Sequence, residues 1–206
     1  MSKQRSLAAY RAIDLTIWGL ILFVLEFMIV TLGAGIFSGQ YYIVSVTCGI
    51  CCITYMRWGW WGALHAVIGG VSWCLANSFS GGLVRMERAF SLLQFLLIYA
   101  GGNLLSLLTV PFIKRFGTEK LRKSRFIPLL LAAVTLLLMH LGRMAFAMIL
   151  GLSAGEALAY LTTDSLSYVF TVLIVLAARK ADGLYEEQTH YLVRFQKEEA
   201  LREEQL

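Results

Sequence analysis

Four ionisable side chains, Glu26, His140, Arg143 and Asp164, lie well inside long apolar stretches of this chain. That placement constrains the fold more than any other feature. Hydrocarbon solvates charge poorly, so such residues turn toward a bundle interior, pair with one another and mark a functional site. Six stretches read as spans, at 13–36, 40–56, 58–77, 90–112, 127–150 and 156–177. A crossing takes roughly 20 residues. Backbone polar groups in lipid must bond within their own segment, which makes each stretch a helix. The expected fold is therefore all-α: a polytopic membrane protein with six transmembrane helices in a compact bundle over 1–179, followed by a cytoplasmic charged tail over 180–206. Composition agrees, because charged residues are 15% of the chain where a soluble domain carries about 25%.

The net charge of +5 does not point to nucleic acid, because of how it is distributed. Lys114, Arg115, Lys120, Arg122, Lys123 and Arg125 cluster between spans four and five. Lys3, Arg5 and Arg11 precede span one, Arg57 separates spans two and three, and Arg179 and Lys180 follow span six. Six alternating helices put all of these on one side, and only Arg85 and Arg88 on the other. The excess of Lys and Arg in cytoplasmic loops then places both termini in the cytoplasm. The first apolar run is too long for a signal-peptide core, and no clear cleavage site follows it, so it reads as a retained helix.

Depth follows from the helix rise of about 1.5 Å per residue. Glu26 and His140 fall at similar depth in the middle-to-outer half, with Arg143 about one turn further out. His140 and Arg143 are three apart and share a face. Tyr160, Asp164, Ser167, Tyr168 and Thr171 recur at helical spacing and form one polar stripe along span six. Two carboxylates against one guanidinium leave one acid over, and a buried acid without a cation neutralises or finds one. These residues form the expected solute-binding layer. The mixed charges suit a zwitterion or small cation better than a polyanion. A second layer, nearer the cytoplasm, holds His65 and Asn103, read as polar helix-packing residues.

Other motifs weigh less. Cys48, Cys51 and Cys52 sit inside a span with no histidine nearby, and with Cys74 they read as small packing residues. No metal site or cofactor is expected. Gly151-Leu-Ser-Ala-Gly155 matches the hydrolase pattern Gly-x-Ser-x-Gly, but that pattern needs a strand-turn-helix setting. Ser153 and Glu156 instead fit a capping box opening span six. Gly33, Gly35, Ser38 and Gly39 supply turn chemistry after span one, and the external loop from Asn77 to Arg88 carries the pair Gly81-Gly82. Leu184, Tyr191, Leu192, Phe195 and Leu201 recur at roughly helical spacing in the tail, either as an amphipathic helix or as a solvated end.

Several stretches resemble the substrate-binding S-component of energy-coupling factor transporters. Met56-Arg-Trp-Gly-Trp-Trp-Gly-Ala-Leu-His-Ala-Val-Ile-Gly-Gly70 is similar to the glycine-rich start of span three in that family. Ala8-x-x-x-Ala12 is similar to the small-residue motif by which such proteins dock on the transmembrane coupling subunit. Asp182-Gly-Leu-Tyr-Glu-Glu-Gln-Thr-His-Tyr-Leu192 resembles the tail of an S-component-like group. The resemblance implies a solute-binding subunit, not an enzyme. It would capture a vitamin, amine or similar micronutrient outside and release it inside, with the coupling subunit and two cytoplasmic ATPase subunits as partners. The chain has no Gly-x-x-x-x-Gly-Lys-Ser/Thr loop, so ATP hydrolysis falls to those partners. An intramembrane enzyme and a non-catalytic membrane adaptor are the competing readings.

Overall fold

A computed structural model describes residues 6–36, 44–80, 91–162, 165–181, 183–184, 186–193 and 201, leaving aside the side chains of 34, 35, 118, 119, 122 and 165. Among the described residues the fold is all-helical, with no strand. The helices are α1 (Leu7–Ile36), α2 (Thr47–Trp58), α3 (Ala63–Phe79), α4 (Leu92–Phe116), the short α5 (Thr118–Lys123), α6 (Phe126–Ile149), α7 (Ala154–Thr162) and α8 (Ser165–Lys180). The turns expected at Ser38 and Gly39 and the Gly81-Gly82 loop lie outside the described residues.

Four segments are long and apolar enough to cross a membrane: Leu7–Gly33, Leu92–Phe116, Phe126–Ile149 and Ala154–Lys180, the last running over 163–164. They match spans one, four, five and six. The expected spans two and three are shorter. α2 has 12 residues and α3 has 17, joined by a tight 3-10 turn at Gly59–Gly62. At about 1.5 Å per residue, α2 is roughly 18 Å long, well under a hydrocarbon core of about 30 Å. The outer faces of α1, α6 and α8 expose large apolar residues such as Leu20, Met28, Leu32, Leu137 and Leu173. Exposed apolar surface on this scale is what lipid covers.

α2 is the hub. Every one of its residues is buried, and it packs against α1, α3, α6 and α8. Cys48, Cys51 and Cys52, all free thiols, lie on it and are essentially inaccessible. α1 runs antiparallel to it. Asp14 and Glu26, twelve residues apart, bracket α2: Asp14 bonds Arg57 and Trp58 at one end, and Glu26 bonds the backbone of Val46 and Thr47 at the other.

α4 is irregular where it crosses the middle of the bundle. Leu97–Gly101 forms a π turn and Leu104–Leu108 a 3-10 turn. Carbonyls disturbed by such turns must find donors within the protein. Ser106 Oγ donates to the Asn103 carbonyl at 2.6 Å, and Thr109 Oγ1 donates to the Ser106 carbonyl at 2.7 Å. Since the single Ser106 proton is used, Tyr55 donates its phenol hydrogen to Ser106 Oγ at 2.6 Å. α2 and α4 are thus tied at the irregularity.

Glycines let three backbones meet there. A Cβ on Gly142 would land on the Gly102 carbonyl oxygen, and one on Gly70 would fall 2.5 Å from the Ala100 backbone. Small residues at helix contacts allow this approach. Gly142→Ala is expected to force α6 from α4 and lower stability by about 1–3 kcal/mol, as overpacking does. Gly155→Ala, whose added methyl meets nothing within 4 Å, is the control. Unfolding of the purified variants in mixed detergent checks both. Equal stability of the two would show that the α4–α6 contact tolerates a methyl group.

The capping boxes fit their sequences. Ser153 and Glu156 exchange bonds at 2.9 and 3.5 Å opening α7, and Ser91 and Gln94 do so at 2.8 and 3.3 Å opening α4. Ser153 is thereby held as a helix cap. The tail is less solvated than its composition implies. Gln188 is 1% exposed, and Leu184 packs on the core cluster around α2.

Candidate functional site

Glu26 is fully buried. Its Oε2 accepts from the N–H of Val46 at 2.9 Å and of Thr47 at 3.2 Å. Val46, the residue preceding α2, supplies no side-chain cap. The first amides of a helix lack intrahelical partners, and a carboxylate there also meets the positive end of the helix dipole. α1 therefore supplies the cap that α2 lacks. Ser167, also fully buried, extends the arrangement from α8 by accepting from the Ser45 N–H at 2.7 Å. Two of the residues expected to bind solute thus hold the start of α2. Asp164 lies outside the described residues.

Arg143 is buried on α6, at 5% exposure. Its Nε donates to Asn103 Oδ1 at 2.9 Å, and the Asn103 amide nitrogen donates to the Ala66 carbonyl at 3.1 Å. These two bonds fix which way the Asn103 amide points. The expectation of two separate polar layers is corrected here. Asn103 belongs with Arg143, because the π turn and the glycine contacts bring α4 and α6 to backbone distance. The other member of the inner layer, His65, bonds α1. His65 Nε2 bonds the Leu15 carbonyl at 3.1 Å and so carries the ring proton. Ser72, about two turns along the same face of α3, donates to the Phe23 carbonyl at 2.7 Å.

An aromatic column adjoins Arg143. Its guanidinium carbon lies 4.8 Å from the centre of the Tyr99 ring. Trp73 stacks on Tyr99 with ring centres 3.6 Å apart and planes 20° from parallel. A stacked indole covers one face of the phenol, so the guanidinium takes the other. A cation over an aromatic face is attractive, and more so away from water. Tyr160 of α7 meets Tyr99 edge-on at 6.1 Å. The column joins α3, α4, α6 and α7. Trp73 is 2% exposed, and its indole nitrogen has no hydrogen-bond acceptor among the described residues.

Of the remaining expected site residues, His140 is buried on the face of α6 that carries Arg143. Tyr168 departs from the stripe: it is 37% exposed, beside exposed Leu166, Val169 and Phe170. Ser167 and Thr171 of the same stripe are fully buried. Ala8 and Ala12 are exposed on α1. Among the described residues no three His, Cys, Asp or Glu side chains gather in a way that could hold a metal.

Sequence reasoning missed Trp73 and Tyr99. Tyr99 lies four residues before Asn103, so the pair was readable as one face of α4. The stacking partner from α3 had no such signal. It also missed the link between Asp14 and Arg57, which are 43 residues apart.

These geometries, the apolar outer faces and the four long helices define a membrane-embedded, all-helical protein. Comparison with family models, with curated proteins and with solved structures finds no match to this chain.

Proposed function

We propose that the chain is a membrane-embedded solute-binding subunit of an ATP-driven uptake transporter, similar to the S-components of energy-coupling factor systems. In this reading the helices make six passes, with both termini in the cytoplasm of a bacterial cell. The asymmetry of Lys and Arg supports that orientation. Solute enters the half of the bundle that contains Arg143, and a coupling subunit with cytoplasmic ATPases drives release. Exposed Ala8 and Ala12 are the proposed contact with the coupling subunit.

The observation that carries the reading is the Trp73 indole N–H, buried without an acceptor among the described residues, beside a stack that ends in a buried guanidinium. A buried donor left unsatisfied costs about 1–3 kcal/mol, and a solute bearing an acceptor would offset that. Glu26 Oε2 is engaged with the start of α2. A solute with a carboxylate or carbonyl acceptor, a zwitterion included, suits the Trp73 donor.

Native mass spectrometry of gently purified protein is the direct test, with a retained small molecule expected. Trp73→Phe keeps the stack but loses the N–H, and weakens binding of that molecule by about 3- to 10-fold, the worth of one neutral hydrogen bond. Arg143→Ala weakens it by roughly 10- to 100-fold, as loss of a charged partner does. Unchanged affinity in both variants would remove the site. Turnover of the molecule on the isolated protein would replace transport with catalysis.

A further inference from the structure

The turn between α2 and α3 gathers cations and exposed rings at one end of the bundle. Within Gly59–Gly62, Trp60 and Trp61 are 50% and 57% exposed. The Arg11 guanidinium of α1 lies 4.3 Å over the Trp61 ring, and Tyr10 packs beside Trp58. A Cβ on Gly59 would fall 3.8 Å from Lys114 Cε, so the Lys114 stem, coming from the end of α4, reaches the start of the turn. Lys114 and its neighbour Arg115 are exposed. A lysine stem on protein with its ammonium in water is a common compromise at such a rim. The two arginines at this turn are used differently. Arg57 is buried. It bonds Asp14 through Nε at 3.0 Å and Nη2 at 2.7 Å, and the Gly183 carbonyl through Nη1 at 2.6 Å. Asp14 also accepts from the Trp58 indole, so its charge is engaged. Arg11 is partly exposed, and among the described residues no hydrogen bond or ion pair engages its guanidinium. A ring holds a cation electrostatically, which leaves five N–H donors for an anion. Lys114 has no ion-pair partner among the described residues either.

We propose that this turn is a binding site for an anionic phospholipid, with Arg11 as the ligand of the headgroup phosphate and Lys114 as a second cation beside the turn. Charge complementarity carries the choice of an anion. The carboxylate of Asp14 is already matched by Arg57, and the cations of Arg11 and Lys114 are unmatched among the described residues. The rings and the surface beyond them carry the choice of a lipid. Exposed Trp rings belong at the headgroup level of a bilayer, and basic groups placed there recognise lipid headgroups. Contacts between α1 and α3 set the geometry: Arg11 meets Trp61, Leu15 meets His65, and Phe23 meets Ser72. The two helices therefore run parallel away from the turn. Along them the surface becomes apolar, with Leu64 of α3 and Ile13, Ile17 and Leu20 of α1 all exposed. A phosphate at Arg11 has its acyl chains in the direction of those side chains. Trp61 acts as a positioning residue, because its ring keeps the guanidinium at the rim. The assignment rests on membrane embedding alone, and holds whether or not the chain carries a solute.

Native mass spectrometry of the full-length protein, released from nanodiscs of mixed phosphatidylglycerol and phosphatidylcholine, tests this by counting retained lipid. The wild type is expected to keep phosphatidylglycerol in preference to phosphatidylcholine. Arg11→Gln lowers that retention about fivefold, and Arg11→Gln with Lys114→Gln about 25-fold, as the loss of one and two headgroup cations does. Trp61→Leu, which keeps the charge and frees the arginine, lowers it as well. Arg125→Gln removes the same charge from an exposed position at the start of α6 and leaves retention unchanged. Thermal unfolding is the second readout: Arg11→Gln matches the wild type in pure phosphatidylcholine and lacks the gain that phosphatidylglycerol gives the wild type. Retention that survives the double substitution would overturn the site. An equal loss with Arg125→Gln would overturn it in favour of general surface charge, and displacement of the lipid by soluble inorganic phosphate would overturn it in favour of a free anion.

Discussion

Arg57→Ala is expected to lower stability by about 3–5 kcal/mol, the cost of leaving one member of a buried ion pair alone. The side chains of Arg57 and Asp14 are 6% and 15% exposed, and their shortest contact is 2.7 Å. Removing the guanidinium strands the Asp14 carboxylate with the Trp58 indole as its remaining hydrogen-bond donor among the described contacts. It also deprives the Gly183 carbonyl of one of its two donors. Chemical unfolding in mixed detergent measures the loss. A double-mutant cycle with Asp14→Ala isolates the pair: the double variant should lose less than the sum of the singles, by roughly 0.5–3 kcal/mol. Strict additivity would mean that the two side chains stabilise the bundle independently, and the clamp between α1 and α2 would have to be abandoned.

Glu26→Ala acts at the other end of α2 and is expected to cost about 2–4 kcal/mol, from one stranded backbone donor and the lost charge–dipole attraction. Val46 N–H loses its acceptor outright, whereas Thr47 N–H keeps Ser45 Oγ at 3.2 Å. Glu26→Gln retains a carbonyl acceptor and should recover most of the loss. That order separates a cap from a charged solute ligand. A ligand role would make Gln nearly as poor as Ala in binding while both leave stability alone. Exchange of the first amides of α2, followed in the two variants, reads the cap directly.

The two ends of α2 also explain why charged groups sit inside so apolar a chain. A helix of 12 residues, every one of them buried, has little access to water along its length. Its first amides and last carbonyls still need partners. Glu26 supplies them at one end. At the other, Arg57 lies in the last turn, where a cation is favoured by the helix dipole, and Asp14 holds it in place. Part of what reads as functional charge is therefore the requirement of a short helix enclosed by longer ones. Arg143 differs, because it bonds a side-chain amide and an aromatic face and caps no helix end in these contacts.

Helix type and position were legible in the sequence because lipid enforces one backbone solution over every long apolar run. The Ser153–Glu156 cap was legible because capping chemistry is local in sequence. The burial of Glu26, His140 and Arg143 was legible too, since few residues of that kind face lipid. What depended on pairing between distant segments was not. Asn103 and Arg143 are 40 residues apart and Ser45 and Ser167 are 122 apart. Helix rise alone gave them depths but no rotation about the helix axis. Tyr168, one residue from buried Ser167 on the expected stripe, is 37% exposed.

The sequence by itself determined that this chain forms apolar helices with a few costly polar groups among them, because hydrophobicity and hydrogen-bond closure act residue by residue. Only the tertiary structure decided what those groups do. A π turn and three close glycine contacts bring α3, α4 and α6 together, which joins Arg143 to Asn103 and to the Tyr99–Trp73 stack. The shortness of α2 recruits Glu26, Asp14 and the tail to its two ends. Both outcomes rest on distances between backbones, and those are fixed by packing rather than by any pattern along the chain.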